Sequence, residues 1–151
     1  MPRTSAAVTK LLLQRGADID AVGGRGQTAL TIAAWRNHGA VVDALLASGA
    51  DPNVRTVGGI TALMGAAVNG YATVAGRLLA AGAVIDATDK DDFTPLIRAA
   101  WNGHGEVVAV LIEYGARVNV ESKNGKTALR LAHGNGYPDI VKMLREAGAK
   151  R

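Results

Sequence analysis

Gly49-Ala50-Asp51-Pro52-Asn53 reveals how the chain is organised, because parts of this stretch return at regular intervals. The Gly-Ala pair recurs every 33 residues without an insertion or a deletion, and a Thr-x-Leu motif recurs in phase with it. A period of this length is typical of stacked supersecondary units that share one continuous core. The sequence therefore predicts a solenoid. The Gly-Ala copies begin at Gly16, Gly49, Gly82, Gly115 and Gly148, and the Thr-x-Leu copies begin at Thr28, Thr61, Thr94 and Thr127.

Each repeating unit has the pattern of two short helices followed by a turn. Thr28 precedes an apolar run with helical spacing, so we expect its side chain to cap the first helix. Asn37 interrupts the run, and glycine does so in later units, which predicts a left-handed residue between the two helices. Residues 41–46 carry the apolar stripe of a second helix. The polar, Gly-rich stretch before Thr61 then predicts a protruding turn.

Further copies of the motif make the pattern specific enough to suggest a family. The pattern is carried by Gly16-Ala17-Asp18-Ile19-Asp20, by the copy at Gly49 and by Ala99-Ala100-Trp101-Asn102-Gly103-His104. The chain resembles the ankyrin repeat over almost its whole length. The resemblance implies an all-α solenoid of stacked helix-turn-helix units joined by hairpin-like loops. It also implies that the loop tips and the exposed side of the first helices form a concave face that binds proteins.

The chain departs from the family pattern at several positions. Asp92 stands where the other loops have Gly, which predicts a positive φ held by Asp. Tyr71 and Tyr137 occupy a position at which the family has His, and we expect them to pack against the protein. The signature His of the first helix is absent, so the hydrogen bond that it makes to a neighbouring loop is expected to be missing. Its replacements are Thr31, Met64, Ile97 and Arg130.

The phase of the repeat predicts one domain over residues 1–151. Residues 1–21 hold only a second helix, which we expect to run from Ala6 to Arg15 with Thr4 or Ser5 as its cap. Two interpretations of this half repeat stay open: a natural N-terminal cap, or a piece of a longer array with repeats upstream. Residues 121–151 are interpreted as a C-terminal capping repeat, because Arg145 and His133 replace apolar residues of earlier units. The full repeats are residues 22–54, 55–87 and 88–120.

Charge and composition set limits on the class of protein. The 151 residues carry a formal net charge of +4, and residues 117–151 alone contain eight basic and three acidic side chains. Such an end can attract an acidic protein or a nucleic acid, although solvation of the last repeat is the simpler explanation. Without cysteine, disulfides and Cys-based zinc sites are excluded. With no long apolar segment either, we expect a soluble, cytoplasmic monomer without a membrane span.

No set of residues indicates catalysis. Gly125-Lys126-Thr127 resembles the end of a phosphate-binding loop, but the required earlier Gly would fall at Val120. His38, His104 and His133 have no second ligand at a spacing typical of a metal site, so a structural role is favoured. We therefore expect no enzymatic activity, no cofactor and no metal.

The variable positions of each unit predict where a protein partner binds. Trp35 and Trp101 are the expected anchors and Phe93 accompanies them, because aromatic residues often dominate binding energy. The alternative is that each Trp covers the neighbouring repeat. Basic residues around them suggest an acidic patch on the partner. Two alternative functions stay open: the chain is a repeat segment of a larger effector or enzyme, or its basic C-terminal end binds nucleic acid weakly. The predicted protein-binding residues are Trp35, Arg36, Val68, Asn69, Trp101, Asn102 and Asn135 near the first helices, and Arg25, Gln27, Arg55, Val57, Ile60, Lys90, Asp91, Phe93, Lys123 and Lys126 on the loops.

Overall fold

A single helix followed by four helix pairs makes up the described part of the chain. The computed structural model describes residues 2–150, with side chains from Ser5 onward, and within this range there are nine helices and no strand. Each helix contacts its counterpart in the next unit, so the expected all-α solenoid is confirmed. The helices are α1 (Pro2–Gln14), α2 (Ala29–Trp35), α3 (Gly39–Ala47), α4 (Ala62–Asn69), α5 (Ala72–Ala80), α6 (Pro95–Trp101), α7 (Gly105–Glu113), α8 (Ala128–Gly134) and α9 (Pro138–Glu146).

A buried threonine begins the first helix of every pair, as predicted. The Thr28 hydroxyl oxygen accepts a hydrogen bond from the Thr31 N–H at 3.2 Å, which satisfies one of the free donors at the start of α2. Thr31 returns the bond, because its own hydroxyl oxygen accepts from the Thr28 N–H at 2.8 Å. Thr31, at the position of the signature His, thus makes a local capping box instead. The equivalent caps are Thr61, Thr94 and Thr127.

A left-handed residue separates the two helices of each pair. Asn37 has a φ of 60°, and Gly70, Gly103 and Gly136 have φ values of 80°, 75° and 75°. Glycine adopts this conformation without the steric cost that a Cβ brings, and Asn is among the tolerated substitutes. The expected helix breaks are therefore confirmed, and so is the positive φ of Asp92 at 61°.

The residue after each left-handed glycine packs against the protein, whereas His38, which follows Asn37, is exposed. The His104 ring lies against Gly70, and its Nε2 atom is 2.8 Å from the Val68 carbonyl oxygen. The Tyr137 ring lies against Gly103, and Tyr71 packs against the core. These contacts confirm the packing role expected for the two tyrosines, and they place His104 in a structural role.

The core lies between two layers of helices. The first helices form one layer, and α1 with the second helices forms the other. Pairs of fully buried alanines such as Ala66 and Ala67 let neighbouring first helices approach closely, while leucines from both layers fill the space between them. The largest fully buried side chains include Leu30, Leu45, Leu63, Leu78, Leu96, Leu111 and Leu144.

A row of Asp and Asn side chains joins the units behind the second helices. Asn53 accepts a hydrogen bond from the Val84 N–H at 2.8 Å and donates one to the Gly82 carbonyl oxygen at 3.1 Å. The same position in the other units also accepts a backbone bond from the next unit. This row explains why Asp or Asn recurs four residues after the Gly of the first four Gly-Ala pairs. Its bonds run from Asp51 N–H to Asp20, from Arg117 N–H to Asp86 and from Lys150 N–H to Asn119.

Substitution of Asn53 tests this row. We expect Asn53→Ala to lower the free energy of unfolding by about 2 kcal/mol, because two hydrogen bonds between units are lost at about 1 kcal/mol each. Asn53→Asp keeps the acceptor and removes only the donor, so about half of that loss is expected. Urea denaturation of the three proteins measures both values, and equal losses for the two variants would contradict the assignment.

The two ends of the array differ in polarity. Val8, Leu11 and Leu12 of α1 are each about half exposed, whereas the polar side chains of His133 and Arg145 are exposed at the opposite end. Since α1 already begins at Pro2, the expected cap at Thr4 or Ser5 is wrong. Proline fits the first position of a helix because it has no N–H that needs a partner there.

Candidate protein-binding surface

Hairpin-like turns precede the first helices and are joined to one another. In the second turn, the Thr56 N–H donates to the Ile60 carbonyl oxygen at 3.0 Å and the Gly59 N–H to the Thr56 carbonyl oxygen at 2.8 Å. Backbone bonds between turns run from Val57 N–H to Arg25, from Lys90 N–H to Gly58 and from Lys123 N–H to Asp91, at 3.0 to 3.2 Å. We call these turns (residues 22–27, 55–60, 88–93 and 121–126), with the ends of the first helices (residues 35–36, 68–69, 101–102 and 134–135), the hairpin surface.

Trp35 and Trp101 end the first helices α2 and α6, at equivalent positions two units apart. Trp35 is 47% exposed and Trp101 is 42% exposed. The Trp35 ring also lies on Gly65 of the next unit, where a Cβ would come within 3.0 Å of it. Trp35 therefore covers part of the neighbouring repeat, and the rest of its side chain is exposed to solvent.

Asn69 and Asn135 connect the first helices across units. The Asn135 amide donates to the Trp101 carbonyl oxygen at 2.9 Å. The Asn69 amide donates to the Gly65 carbonyl oxygen at 2.9 Å and lies 3.5 Å from the Trp35 carbonyl oxygen. Both asparagines thus fix the helix ends that carry the tryptophans.

Five of the predicted residues line one cleft between the first two hairpins. Arg25 and Gln27 come from the first hairpin, Val57 and Ile60 from the second, and Trp35 from the end of α2. The cleft has a volume of about 680 Å³. Its position follows from the repeat, since the hairpins stand side by side and the end of the helix lies beneath them.

Phe93 and Trp101 form a second, separate group. Their ring centroids are 5.4 Å apart, and the Arg98 guanidinium carbon lies 4.7 Å from the centroid of the Phe93 ring. Arg98 is in turn ion-paired with the buried Asp89. Phe93 is half-buried and packs against the core, so it presents less surface than its place on a loop suggested.

The remaining predicted residues lie along the hairpin surface outside these two groups. Arg55 and Lys123 are exposed, and each donates a side-chain hydrogen bond to a carbonyl oxygen of a neighbouring hairpin, that of Thr88 and that of Lys90. Val68 is half-buried at the end of α4. The others are exposed, namely Arg36, Lys90, Asp91, Asn102 and Lys126.

Family comparisons agree with this architecture. A family model described as Ankyrin repeats (3 copies) matches residues 41–122 and 63–150, and one described as Ankyrin repeats (many copies) matches residues 12–66. The chain belongs to the ankyrin-repeat family. Ankyrin repeats are generally protein–protein interaction modules and are typically not enzymes. A comparison with curated proteins gives no match.

The described residues of this ankyrin-repeat protein contain neither a group of side chains suited to a metal ion nor a helix suited to a bilayer. Among residues 2–150 no three His, Asp or Glu side chains are grouped so that they could hold a metal ion. None of the helices in that range combines the length and apolar character that crossing a bilayer requires.

Asp89 and Arg98 of this ankyrin-repeat protein support the hairpin surface, although neither is among the predicted binding residues. The Asp89 carboxylate accepts from the Asp91 and Phe93 N–H groups at 2.9 and 3.1 Å and binds Arg98. A signal for the first role is present in the sequence, because Thr56 and Ser122 hold the equivalent position and also accept bonds within their own turns. Nothing in the repeat pattern indicates Arg98, since the equivalent residues are Ile32, Gly65 and Leu131.

Proposed function

We propose that this protein is a non-enzymatic recognition module, acting as a scaffold, adaptor or inhibitor, and that it binds a folded protein through a concave face formed by the hairpin surface. The observation that carries the proposal is the placement of Trp35 and Trp101. They hold equivalent helix ends on one side of the molecule, and each leaves more than two fifths of its surface exposed. Tryptophan is enriched among the residues that dominate binding energy at protein interfaces.

The charge of the hairpin surface indicates the character of the partner. Its exposed basic side chains share this surface with the tryptophans, and in this proposal they meet an acidic patch on the partner and speed the encounter with it. The protein acts as a monomer in the cytoplasm. As a segment of a larger effector or enzyme, the repeats would have the same protein-binding role. The basic side chains are Arg25, Arg36, Arg55, Lys90, Lys123 and Lys126.

Nucleic-acid binding by the basic C-terminal end is the less favoured alternative. Several of those bases already have partners within the protein: Arg117 binds Asp86, and Arg130 donates to the Gly125 carbonyl oxygen. Binding to phosphates releases counterions, so this alternative requires an affinity for oligonucleotides that falls steeply as salt rises. A titration with duplex and single-stranded oligonucleotides at two salt concentrations separates it from protein binding.

A pull-down from the native source tests the proposed function. With wild-type bait, we expect partner proteins that the Trp35→Ala/Trp101→Ala double variant recovers at least about tenfold less, because each substitution removes a large apolar contact. Tyr114→Ala is the matched control, since Tyr114 is 50% exposed but directly follows α7 as its C-cap, in the other helix layer. Equal recovery with the double variant contradicts the proposal. Loss of its helical circular dichroism signal instead identifies the tryptophans as structural residues.

A further inference from the structure

We infer that the cleft between the first two hairpins binds an extended acidic segment of the partner, with one apolar side chain inserted next to Trp35. This inference rests on the proposed function and narrows it to one part of the hairpin surface. It follows from the shape of the cleft, the chemistry of its walls and the distribution of charge around it.

The walls of the cleft are suited to an apolar side chain. Val57 and Ile60 from one hairpin line the cleft together with Trp35, and about half of the Trp35 surface is exposed. The cleft volume of about 680 Å³ falls in the range of about 300–1,000 Å³ that is typical of ligand pockets. An aliphatic or aromatic residue that enters it removes apolar surface of both molecules from water.

Charge around the cleft has one sign. Residues 21–36 and 54–69, which form the first two hairpins and their helices, contain Arg25, Arg36 and Arg55 but no Asp or Glu. The sign changes at the third hairpin, where Asp89, Asp91 and Asp92 lie close together in the sequence. The first two hairpins and their helices are therefore the part of the hairpin surface that carries basic side chains without acidic ones, and carboxylates next to an inserted apolar residue find arginine partners there.

An extended segment fits these features better than a helix or a nucleic acid. Successive side chains of an extended chain point to opposite sides, so an apolar residue can enter the cleft while acidic neighbours reach Arg25 and Arg55. Gln27 adds an amide that can both donate to and accept from a peptide backbone. A single-stranded nucleic acid needs a continuous basic groove with successive aromatic platforms, whereas here the charge reverses at the third hairpin and Trp35 is the aromatic residue of the cleft.

Selection of peptides from a random 12-residue phage-display library tests the inference without a known partner. We expect the enriched peptides to share an aliphatic or aromatic residue with Asp or Glu within three positions of it. A synthetic peptide of that sequence should bind the wild-type protein. Enriched peptides without the acidic residues, or failure of the library to enrich any peptide specific for the protein, would overturn the inference.

Two pairs of variants locate the binding site of that peptide. Trp35→Ala and Arg25→Glu should each raise the Kd at least about tenfold, whereas Trp101→Ala and Lys126→Glu should change it less than about twofold. The Trp101→Phe protein retains Trp35 as its only tryptophan, and its emission should shift on binding. Sensitivity to Trp101 instead of Trp35 overturns the cleft assignment but leaves the proposed function intact. Tighter binding of a 12-nucleotide single strand than of the peptide overturns the peptide assignment.

Discussion

Asp89→Ala is expected to lower the free energy of unfolding by about 3 kcal/mol, one of the two largest effects that the structure predicts. The side chain is buried, pairs with Arg98 and accepts hydrogen bonds from two backbone N–H groups of its own hairpin. Removing one partner of a buried ion pair leaves the other charge unpaired, which costs about 3–5 kcal/mol, and the partial exposure of Arg98 places this case at the low end.

Two further variants separate the contributions of Asp89. Asp89→Asn retains an oxygen that can accept from the Asp91 and Phe93 N–H groups but removes the negative charge, so its loss of stability should be about half that of Asp89→Ala. Asp91→Ala makes the same change of charge at an exposed position two residues away and should cost less than about 0.5 kcal/mol. Urea denaturation gives all three values. A loss for Asp89→Ala as small as that for Asp91→Ala would show that the pair with Arg98 is not stabilising.

This ion pair also affects the hairpin surface. Arg98 supports the Phe93 ring, which contacts Trp101, so loss of Asp89 should disturb one of the two exposed tryptophans. Trp35 packs on Gly65 and belongs to a different repeat unit, so it should be unaffected. The two aromatic groups are therefore supported independently.

The order and limits of the helices could be predicted because they depend on local chemistry. The cap at Thr28, the break at Asn37 and the turn at Asp92 are each decided by a residue type within a few positions of where it acts. Each of these signals recurs at or near the same position of the following units, 33 residues further along the chain, which strengthens the prediction. The start of α1 is the exception: that segment has no preceding Thr-x-Leu motif, and Pro2 begins the helix earlier than expected.

The grouping of the surface residues could not be predicted in the same way. Trp35 meets Gly65 in the next unit, and Arg98 forms its pair with Asp89 across the hairpin, so both contacts depend on side chains that vary between units. The phase of the 33-residue repeat determines which backbone positions are neighbours. Which residue a long side chain contacts depends, in addition, on its charge and size. For this reason the sequence predicted the binding surface as one continuous set, whereas the structure contains a cleft beside Trp35 and a separate Phe93–Trp101 group.

Gly103→Ala is expected to destabilise the fold by about 3 kcal/mol, through two separate effects. The φ of Gly103 is 75°, and an alanine in the left-handed region costs about 1–2 kcal/mol. In addition, a Cβ at this position would lie 2.6 Å from Cζ and 2.7 Å from Cε1 of Tyr137, so the ring must move. Overpacking of this kind typically costs about 1–3 kcal/mol.

Gly136→Ala is the matched control, because Gly136 has the same φ of 75° but no atom lies within 4 Å of a Cβ built there. It should lose only about 1 kcal/mol to backbone strain, and the difference of about 2 kcal/mol from Gly103→Ala then measures the clash with Tyr137. If that interpretation is correct, Gly103→Ala in a Tyr137→Ala background should cost no more than Gly136→Ala does in the wild type. Equal losses for Gly103→Ala and Gly136→Ala would mean that the Tyr137 ring moves aside freely and does not hold the last two units together.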